Sequence, residues 1–266
     1  MAISRNELQA VPRRIISLAP SNTEILYALG LGQQVVAVTR FCDYPPAAKQ
    51  KPKIGGWLDI NDALLEQHKP ELLFTSTFVQ DKIVERLEAK GMQIIHTDPK
   101  NLKQVYGSIL YIGDITGKKA EAEQLVEQMQ QQMQEISDSM HTSKKPRVYV
   151  EEWHKPPTVS GNWVPDIVAL AKGESMIPSG IISREVSFAE VQGFDPDFII
   201  ISWCGFGTRV DLGKFFLGRE EPWKDLRAVK EGHINVFDDS LLNRPGPRLV
   251  KGLRLLVKTI HPKGKG

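Results

Sequence analysis

Residues 116–140 read TGKKAEAEQLVEQMQQQMQEISDSM, and this stretch decides the fold that the sequence predicts. Its apolar side chains recur at spacings of four, four and three, which places them on one stripe of a helix: Leu125, Met129, Met133 and Ile136. About 25 residues at about 1.5 Å of rise each form a rod of about 37 Å. A rod of that length can cross a small domain, so we interpret it as a rigid connection between two parts of the chain.

The same pattern of strands and helices occurs on both sides of this helix. Short apolar runs, each followed by a loop and a helix-like segment, predict strands at residues 15–18, 35–38, 72–74 and 93–96, and again at 147–150, 198–202 and 234–237. Taken alone, the long helix would also fit the surface of a single domain. The repeated alternation favours an α/β fold with two Rossmann-like lobes joined by one long rigid α-helix, and a ligand cleft between the lobes.

Several boundaries and local features follow from the same pattern. The predicted limits are an N-terminal lobe at residues 13–115, a linking helix at 116–142 and a C-terminal lobe at 146–262. Ser21 and Glu24, three positions apart after the first strand, fit a capping box. Asn61 or Asp62 is expected to cap a later helix. Residues 249–260 are predicted as a closing amphipathic helix. Residues 151–163, EEWHKPPTVSGNW, contain two adjacent prolines and are predicted as a loop.

Composition and charge argue against several classes of protein. The 266 residues carry a net charge of +2 at pH 7, and the basic cluster at Lys258, Lys263 and Lys265 fits a solvated end, so we predict no nucleic-acid partner. No run of about 18 apolar residues exists, which predicts no membrane insertion. Residues 1–14 lack the apolar core of a secretory signal. As written, the chain is therefore predicted to be cytoplasmic, or periplasmic or at the cell surface if a native leader has been removed.

The loops that follow strands predict the binding site, because ligands of open parallel sheets lie outside the carboxyl ends of the strands. In this sequence those loops carry Ser21, Tyr44, Thr77, Phe78, His96, Trp153, His154, Trp203, Phe206 and Arg244, with Trp57 close by. Such an aromatic surface suits a large, flat, partly apolar molecule. The alternative is that these rings plug the ends of the sheets or the lobe interface.

Catalytic and metal-binding motifs are missing from the sequence. It contains no phosphate-binding loop, no dinucleotide fingerprint and no nucleophile elbow, and its six histidines show no metal-ligand spacing. We therefore predict no enzymatic activity, no resident metal and no required cofactor. His154 is a candidate axial ligand for a metal carried by the bound molecule. A metal- or haem-handling protein that uses Cys42, His154 and Cys204 is kept as an alternative.

Several segments of the chain resemble one family in the expected order. They are RIISLAPSNTEILYALGLG at 14–32, FCDYPP at 41–46, IGGWLDIN at 54–61, HKPELLF at 68–74 and NRPGPRLVKGL at 243–253. The sequence is similar to the helical-backbone, or class III, substrate-binding proteins of ABC importers for vitamin B12, iron-siderophores and haem. The resemblance covers nearly the whole chain, and it implies the periplasmic-binding-protein fold with a helical backbone.

Within that family, DYPP looks like the cobalamin branch, in which a tyrosine and a tryptophan pack on the corrinoid. The resemblance therefore implies ligand contacts from Tyr44 and Trp57, and from Arg244 with Asp239 or Ser240 upstream of it. We add Phe78, Trp153 and Trp203 to the predicted contacts: their loops follow strands. In the second lobe, the family has aromatic ligand contacts at positions that align with Glu152 and Thr158 of this sequence. Trp153, next to Glu152, is expected to take over the aromatic contact.

The resemblance also concerns a membrane permease. Importer-coupled members carry a docking glutamate on each lobe, and the aligned positions here hold Ala63 and Ala189, with Asp62 and Glu190 one residue away. A helix turns by about 100° per residue, so this shift re-aims the carboxylate. We therefore expect a monomeric, cytoplasmic binder of cobalamin or a related corrinoid that has left transport. A true importer component for cobalamin, haem or an iron-siderophore is the alternative.

Overall fold

The computed structural model of the chain describes residues 11–140, 142, 145–213, 219 and 221–262. Its α-helices are α1 Pro20–Ala28, α2 Pro46–Lys49, α3 Asp62–Gln67, α4 Asp81–Glu88, α5 Leu102–Ile115, α6 Lys119–Asp138, α7 Val164–Leu170, α8 Phe188–Phe194, α9 Arg227–Lys230 and α10 Leu249–Ile260. Its strands are β1 Ile15–Ser17, β2 Val35–Val38, β3 Leu72–Ser76, β4 Ile94–Thr97, β5 Arg147–His154, β6 Pro157–Val159, β7 Glu174–Ser175, β8 Arg184–Glu185, β9 Phe198–Ile201 and β10 Ile234–Val236. Among the described residues, no helix combines the length and apolarity that a membrane crossing requires.

The first compact unit, unit 1, comprises Met1–Pro99 and Lys103–Gln128. Its four strands form one parallel sheet in the order β2-β1-β3-β4. Nearly every strand residue is buried, as expected for a parallel sheet covered on both faces. Because the strands are parallel, the loops that follow them emerge at one edge of the sheet.

The second compact unit, unit 2, comprises Lys100–Leu102 and Met129–Gly266. Its six-stranded sheet has the order β10-β9-β5-β6-β8, and β7 pairs with the beginning of β5. Strands β5, β9 and β10 are parallel, whereas β6 and β8 are antiparallel to their neighbours. The loops after β5 and β9 therefore emerge together at one edge. The α/β class with two lobes and one long helix is confirmed.

Helix α6 is shorter than predicted and turns a slightly different face inward. It begins at Lys119 because Gly117 has a φ of +73° and ends the preceding helix in a turn. The buried stripe has spacings of four, three, four and three: Ala122, Val126, Met129, Met133 and Ile136. Leu125, which we predicted on the stripe, is only partly buried. The division between the two units falls within α6.

Two predicted boundary features are wrong and two are confirmed. Helix α1 begins at Pro20, whose ring fixes a helical φ, so Ser21 lies inside the first turn and does not cap it. Residues 151–163 are not a loop throughout, because β5 continues to His154 and the chain returns as β6. Asn61 does cap α3, since its side chain accepts a hydrogen bond from the Leu64 amide at 3.1 Å. The closing helix has the predicted limits.

Candidate functional site

Unit 1 exposes large apolar side chains on the loops at the carboxyl edge of its sheet. These side chains are 36–58% exposed and follow β2, β3 or the Gly55–Gly56 turn: Phe41, Tyr44, Leu58, Phe78 and Val79. Trp57 is half-buried among the same loops. An accumulation of exposed apolar residues on loops of one edge is typical of a binding surface. We call these six residues the unit 1 apolar surface.

A buried glutamine ties the loops of this surface together. Gln80 is fully buried, and its Oε1 accepts a hydrogen bond from the Ser76 amide at 2.8 Å. Its Nε2 donates to the carbonyl oxygen of Leu18 at 3.0 Å and to that of Trp57 at 2.9 Å. The side chain therefore joins the ends of β1 and β3 to the loop that carries the tryptophan.

The two glycines before Trp57 are required by the close approach of Asp59. Gly55 has a φ of +129°, and a Cβ atom there would lie 2.2 Å from the carbonyl oxygen of Asp59. A Cβ atom on Gly56 would lie 2.1 Å from Asp59 Oδ1. Asp59 in turn forms a 2.9 Å ion pair with Arg40, and the hydrogen bond from that guanidinium lowers the pKa of the Asp59 carboxyl. The Trp57 indole nitrogen is buried and has no hydrogen-bond partner among the described residues.

Four aromatic rings of unit 2, two at the end of β5 and two after β9, pack against one another. The His154 imidazole stacks on the Trp203 indole with 4.4 Å between ring centroids. Phe206 meets Trp153, His154 and Trp203 edge-on at 6.2, 5.6 and 5.7 Å. Trp153 is exposed, while Trp203 has only 1% of its surface exposed. We call these four residues the unit 2 aromatic cluster.

A fully buried carboxylate lies beneath this cluster. Glu151 Oε1 accepts hydrogen bonds from Trp203 Nε1 at 2.8 Å and from the Arg219 guanidinium, and its Oε2 accepts one from the Tyr149 hydroxyl at 2.7 Å. Arg219 lies over the Trp223 ring, 4.2 Å from its centroid. Burial raises the pKa of the Glu151 carboxyl, and the Arg219 charge opposes that rise. The carboxylate is thus held by three donors.

Polar side chains lie on the opposite face of β5. Glu152 Oε2 accepts a hydrogen bond from Ser183 Oγ at 2.8 Å, and Asn243 Nδ2 lies 3.2 Å from the Cys204 sulfur. Burial raises the pKa of the Glu152 carboxyl to about 7. Burial, together with the Glu152 charge, raises the pKa of the Cys204 thiol to about 12, so this thiol is protonated and a poor nucleophile.

Two of the predicted contacts near the end of the chain are buried and hold the loops themselves. Asp239 accepts hydrogen bonds from the amides of Gly205 at 3.1 Å and Gly207 at 2.8 Å, which fixes the glycine-rich loop after β9. Ser240 is buried and donates to Asp238 Oδ1. Arg244 is partly exposed. Asp239 and Ser240 therefore support the loops, and ligand contact by either remains a prediction.

Within each unit, the structure brings several of the predicted residues together. Tyr44, Trp57 and Phe78 belong to the unit 1 apolar surface, and Trp153 and Trp203 belong to the unit 2 aromatic cluster. Sequence reasoning missed residues that support or extend these surfaces, namely Phe41, Leu58, Val79, Gln80, Glu151 and Asn243. One signal in the sequence could have pointed to Glu151. Tyr149, Glu151 and Trp153 occupy every second position, so they would lie on one face of the sheet if the strand predicted at 147–150 continued to residue 153.

The alternative of a metal- or haem-handling protein concerns Cys42, His154 and Cys204. Cys42 belongs to unit 1, is 1% exposed and lies 3.2 Å from the Thr39 hydroxyl, and burial raises the pKa of its thiol. No group of three or more histidine, cysteine or acidic side chains within the described ranges is placed to hold a metal ion. Burial lowers the pKa of His154, and its Nδ1 lacks a hydrogen-bond partner among the described residues, so a neutral imidazole remains available.

The two positions aligned with docking glutamates lie exposed in the first turns of α3 and α8. Ala63 and Ala189 occupy them, and the neighbouring carboxylates are engaged locally. Asp62 pairs with Lys90 at 2.8 Å and with Arg86 at 3.2 Å. Glu190 accepts a hydrogen bond from the Ser187 amide and pairs with Arg184 at 2.8 Å, interactions that lower its pKa to about 2. The weakened docking that we infer from Ala63 and Ala189 stays a prediction.

Known proteins share both the sequence pattern and the fold. The model of a family described as periplasmic binding protein matches residues 15–241. A vitamin B12-binding protein of Yersinia pestis (strain Pestoides F) is 29% identical over 249 residues, covering 92% of this chain and 85% of that protein. An uncharacterized ABC transporter substrate-binding lipoprotein of Bacillus subtilis (strain 168) is 29% identical over 263 residues, covering 94% of this chain and 81% of that protein. The crystal structure of a possible iron-binding (periplasmic solute-binding) protein from Staphylococcus epidermidis has a TM-score of 0.78 at 27% identity, covering 95% of this chain and all of that chain.

Proposed function

We propose that this chain, which belongs to the periplasmic binding protein family, is the substrate-binding component of an ABC importer and that its ligand is cobalamin or a related corrinoid. The family consists of binding proteins of transporters, which agrees with the missing catalytic motifs. Binding in this proposal involves stacking and hydrogen bonds, without covalent chemistry. The ligand brings its own cobalt, so the protein needs no metal of its own.

The observation that carries the proposal is the unit 1 apolar surface. Tyr44 and Phe78 expose their rings, and Trp57 lies among them with a buried indole N–H that has no partner among the described residues. Flat apolar faces suit a corrin ring, because stacking on exposed rings removes apolar surface from water. The relative from Yersinia pestis that is named for vitamin B12 supports the same ligand.

The cytoplasmic location that we expected from residues 1–14 is not supported. The family is described as periplasmic, and the relative from Bacillus subtilis is described as a lipoprotein. We therefore propose that the protein acts outside the cytoplasm and delivers its ligand to a permease. This replaces the prediction of a binder that has left transport, although the alanines at positions 63 and 189 still predict weakened docking.

A titration of the purified protein with cyanocobalamin tests the ligand. We expect saturable one-to-one binding, followed by the visible spectrum and by heat, and about tenfold weaker binding in Trp57→Ala and in Tyr44→Ala. Each substitution removes one aromatic face from the unit 1 apolar surface. Tenfold weaker binding corresponds to a loss of about 1.4 kcal/mol in binding free energy. Leu110→Ala is the matched control, because Leu110 is an exposed apolar residue on α5 and not on the loops of this surface.

The outcomes of this titration test the identity of the ligand separately from the substrate-binding role. If the protein binds haem or a ferric siderophore but neither cobalamin nor its precursor cobinamide, the proposed corrinoid ligand is wrong and the substrate-binding role stands. No saturable binding of any of these four probes would overturn the proposed function. Unchanged affinity in both ring variants would show that a corrinoid binds elsewhere on the protein.

A further inference from the structure

The buried Glu151 is an unusual residue to find beneath an aromatic cluster. It is fully buried in the middle of the unit 2 sheet, where β5 pairs with β9 on one side and β6 on the other. Burying a carboxylate is costly, and well-packed apolar residues often stabilise a core at least as well as an ion pair does. Its presence there therefore calls for a role besides stability.

Two hydrogen bonds on one oxygen of Glu151 fix the orientation of one tryptophan. Trp203 is the residue of the aromatic cluster that contacts the carboxylate, through Nε1–H to Oε1 at 2.8 Å. The Arg219 guanidinium donates to the same oxygen, and the Tyr149 hydroxyl donates to the other oxygen at 2.7 Å. The bond from Arg219 holds Oε1 in place without the Tyr149 hydroxyl, and the plane of the indole ring is fixed with that oxygen.

The fixed indole then sets the position of the exposed rings. His154 stacks on Trp203 at 4.4 Å with 28° between the ring planes. Its Nδ1 has no hydrogen-bond partner among the described residues, and among its ring contacts with Trp153, Trp203 and Phe206 the stacking on Trp203 has the shortest centroid distance. His154 in turn lies 5.2 Å from Trp153, whose ring is 39% exposed. A chain of contacts thus runs from the buried carboxylate to the surface of unit 2.

We propose that Glu151 is a positioning residue for ligand binding, which acts by holding Trp203 so that His154 and Trp153 form a preformed aromatic wall. The inference rests on the proposed function in one respect, namely that a corrinoid or another flat macrocycle contacts this wall. Preformed walls raise affinity because side chains that are already ordered lose less entropy on binding. Glu151 itself does not touch the ligand.

Two substitutions that each remove one hydrogen bond from Glu151 test the proposal. Trp203→Phe keeps an aromatic ring but loses the donor to Oε1, and Tyr149→Phe loses the donor to Oε2 without touching the wall. We expect cyanocobalamin to bind about tenfold more weakly to Trp203→Phe and within about twofold of the parent to Tyr149→Phe. A purely structural carboxylate predicts similar changes in both.

A double variant separates action through Trp203 from a general loss of packing. Glu151→Leu, which removes the acceptor that a glutamine would keep, is expected to weaken binding about tenfold, and Glu151→Leu combined with Trp203→Phe is expected to be no weaker than either single variant. Additive losses, about a hundredfold in the double variant, would contradict the proposal. So would unchanged affinity in Glu151→Leu.

A second readout does not depend on any ligand. Stacking on an indole displaces the imidazole proton resonances of His154, which His154→Gln identifies among the six histidines. We expect these resonances to move in Glu151→Leu and to stay in place in Tyr149→Phe. Trp203→Phe moves them in any case because it replaces the indole, so resonances that stay in place in Glu151→Leu would overturn the positioning role. If the parent binds none of the four probes, the proposed function fails while this measurement still decides the inference.

Discussion

The two units hold their surface loops in different ways. In unit 1, the neutral amide of Gln80 bonds three backbone groups, and the apolar side chains on those loops remain exposed. In unit 2, the charged carboxylate of Glu151 bonds three side chains, and the aromatic rings above it pack on one another. The unit 1 surface is therefore shaped through its backbone, whereas the unit 2 surface is shaped through side chains.

This difference makes the two surfaces sensitive to different conditions. An amide does not titrate, so the support in unit 1 should be independent of pH. The support in unit 2 contains an ionised pair in which the acid has a raised pKa, and burial raises the pKa of its neighbour Glu152 to about 7. A substitution that removes the support of one unit should therefore lower the free energy of unfolding by an amount that depends on pH in unit 2 and does not depend on pH in unit 1.

The largest effect is expected for Arg219→Met, which leaves the buried Glu151 without its cation. Removing one partner of a buried ion pair typically costs about 3–5 kcal/mol, and we expect that loss in the free energy of unfolding at pH 8. The pKa of Glu151 rises further without Arg219, so the folded variant takes up a proton more readily than the unfolded chain. The deficit should therefore shrink as the pH falls from 8 to 5.

Chemical denaturation at several pH values measures this effect, and Arg184→Met is the matched control. Arg184 forms an exposed ion pair with Glu190 in the same unit, and breaking an exposed pair costs about 1 kcal/mol or less. Equal losses for the two arginines, or a deficit in Arg219→Met that does not change with pH, would mean that the buried charge is not what supports unit 2.

Most of the fold followed from the sequence, because its signals are local. Strand β2 and helix α10 have the predicted limits, since apolar runs and the period of 3.6 residues are set by burial. The prediction of a capping box at Ser21 was wrong, because the helix begins at Pro20 and Ser21 lies inside its first turn. Where this helix begins depends on how the chain leaves β1. The capping box at Ser187 and Glu190, which we did not predict, holds α8.

The candidate site was less predictable, because its supports join distant residues. Gln80 bonds Leu18 and Trp57, which lie 62 and 23 positions away, and no sequence pattern marks such a residue. Exposed aromatic residues at this edge were easier to find, since loops after strands gather at one edge of a parallel sheet. The same reasoning selected Trp203, whose ring is buried, because it cannot tell a ring that lines a surface from one that supports it.

The next effect in size is expected for Gln80→Ala. The substitution removes three hydrogen bonds and leaves the buried Ser76 amide without its acceptor, so we expect the free energy of unfolding to fall by about 3 kcal/mol. The loss should be the same at pH 5 and pH 8. Gln130→Ala on the exposed face of α6 is the matched control and should change stability by about 0.5 kcal/mol or less. A loss in Gln80→Ala that depends on pH would remove the contrast between the units.

The smallest effect is expected for Glu152→Gln, which keeps an oxygen acceptor for Ser183 but removes a titrating group from unit 2. Burial raises the pKa of this carboxyl from 4.5 to about 7, so the folded chain binds more protons than the unfolded chain between these values. The parent therefore loses stability as the pH rises from about 4.5 to about 7, and the variant does not.

The variant should accordingly gain stability relative to the parent as the pH rises. The full shift corresponds to about 3 kcal/mol, and solvent contact at this half-buried side chain reduces the expected gain to about 1 kcal/mol at pH 8. Thermal unfolding at pH 4 and pH 8 measures it, with Glu127→Gln on the exposed face of α6 as the control that should show no such difference. A variant less stable than the parent at pH 8 would mean that the ionised Glu152 is favourably bound in unit 2, and that the pH-sensitive support there is limited to Glu151.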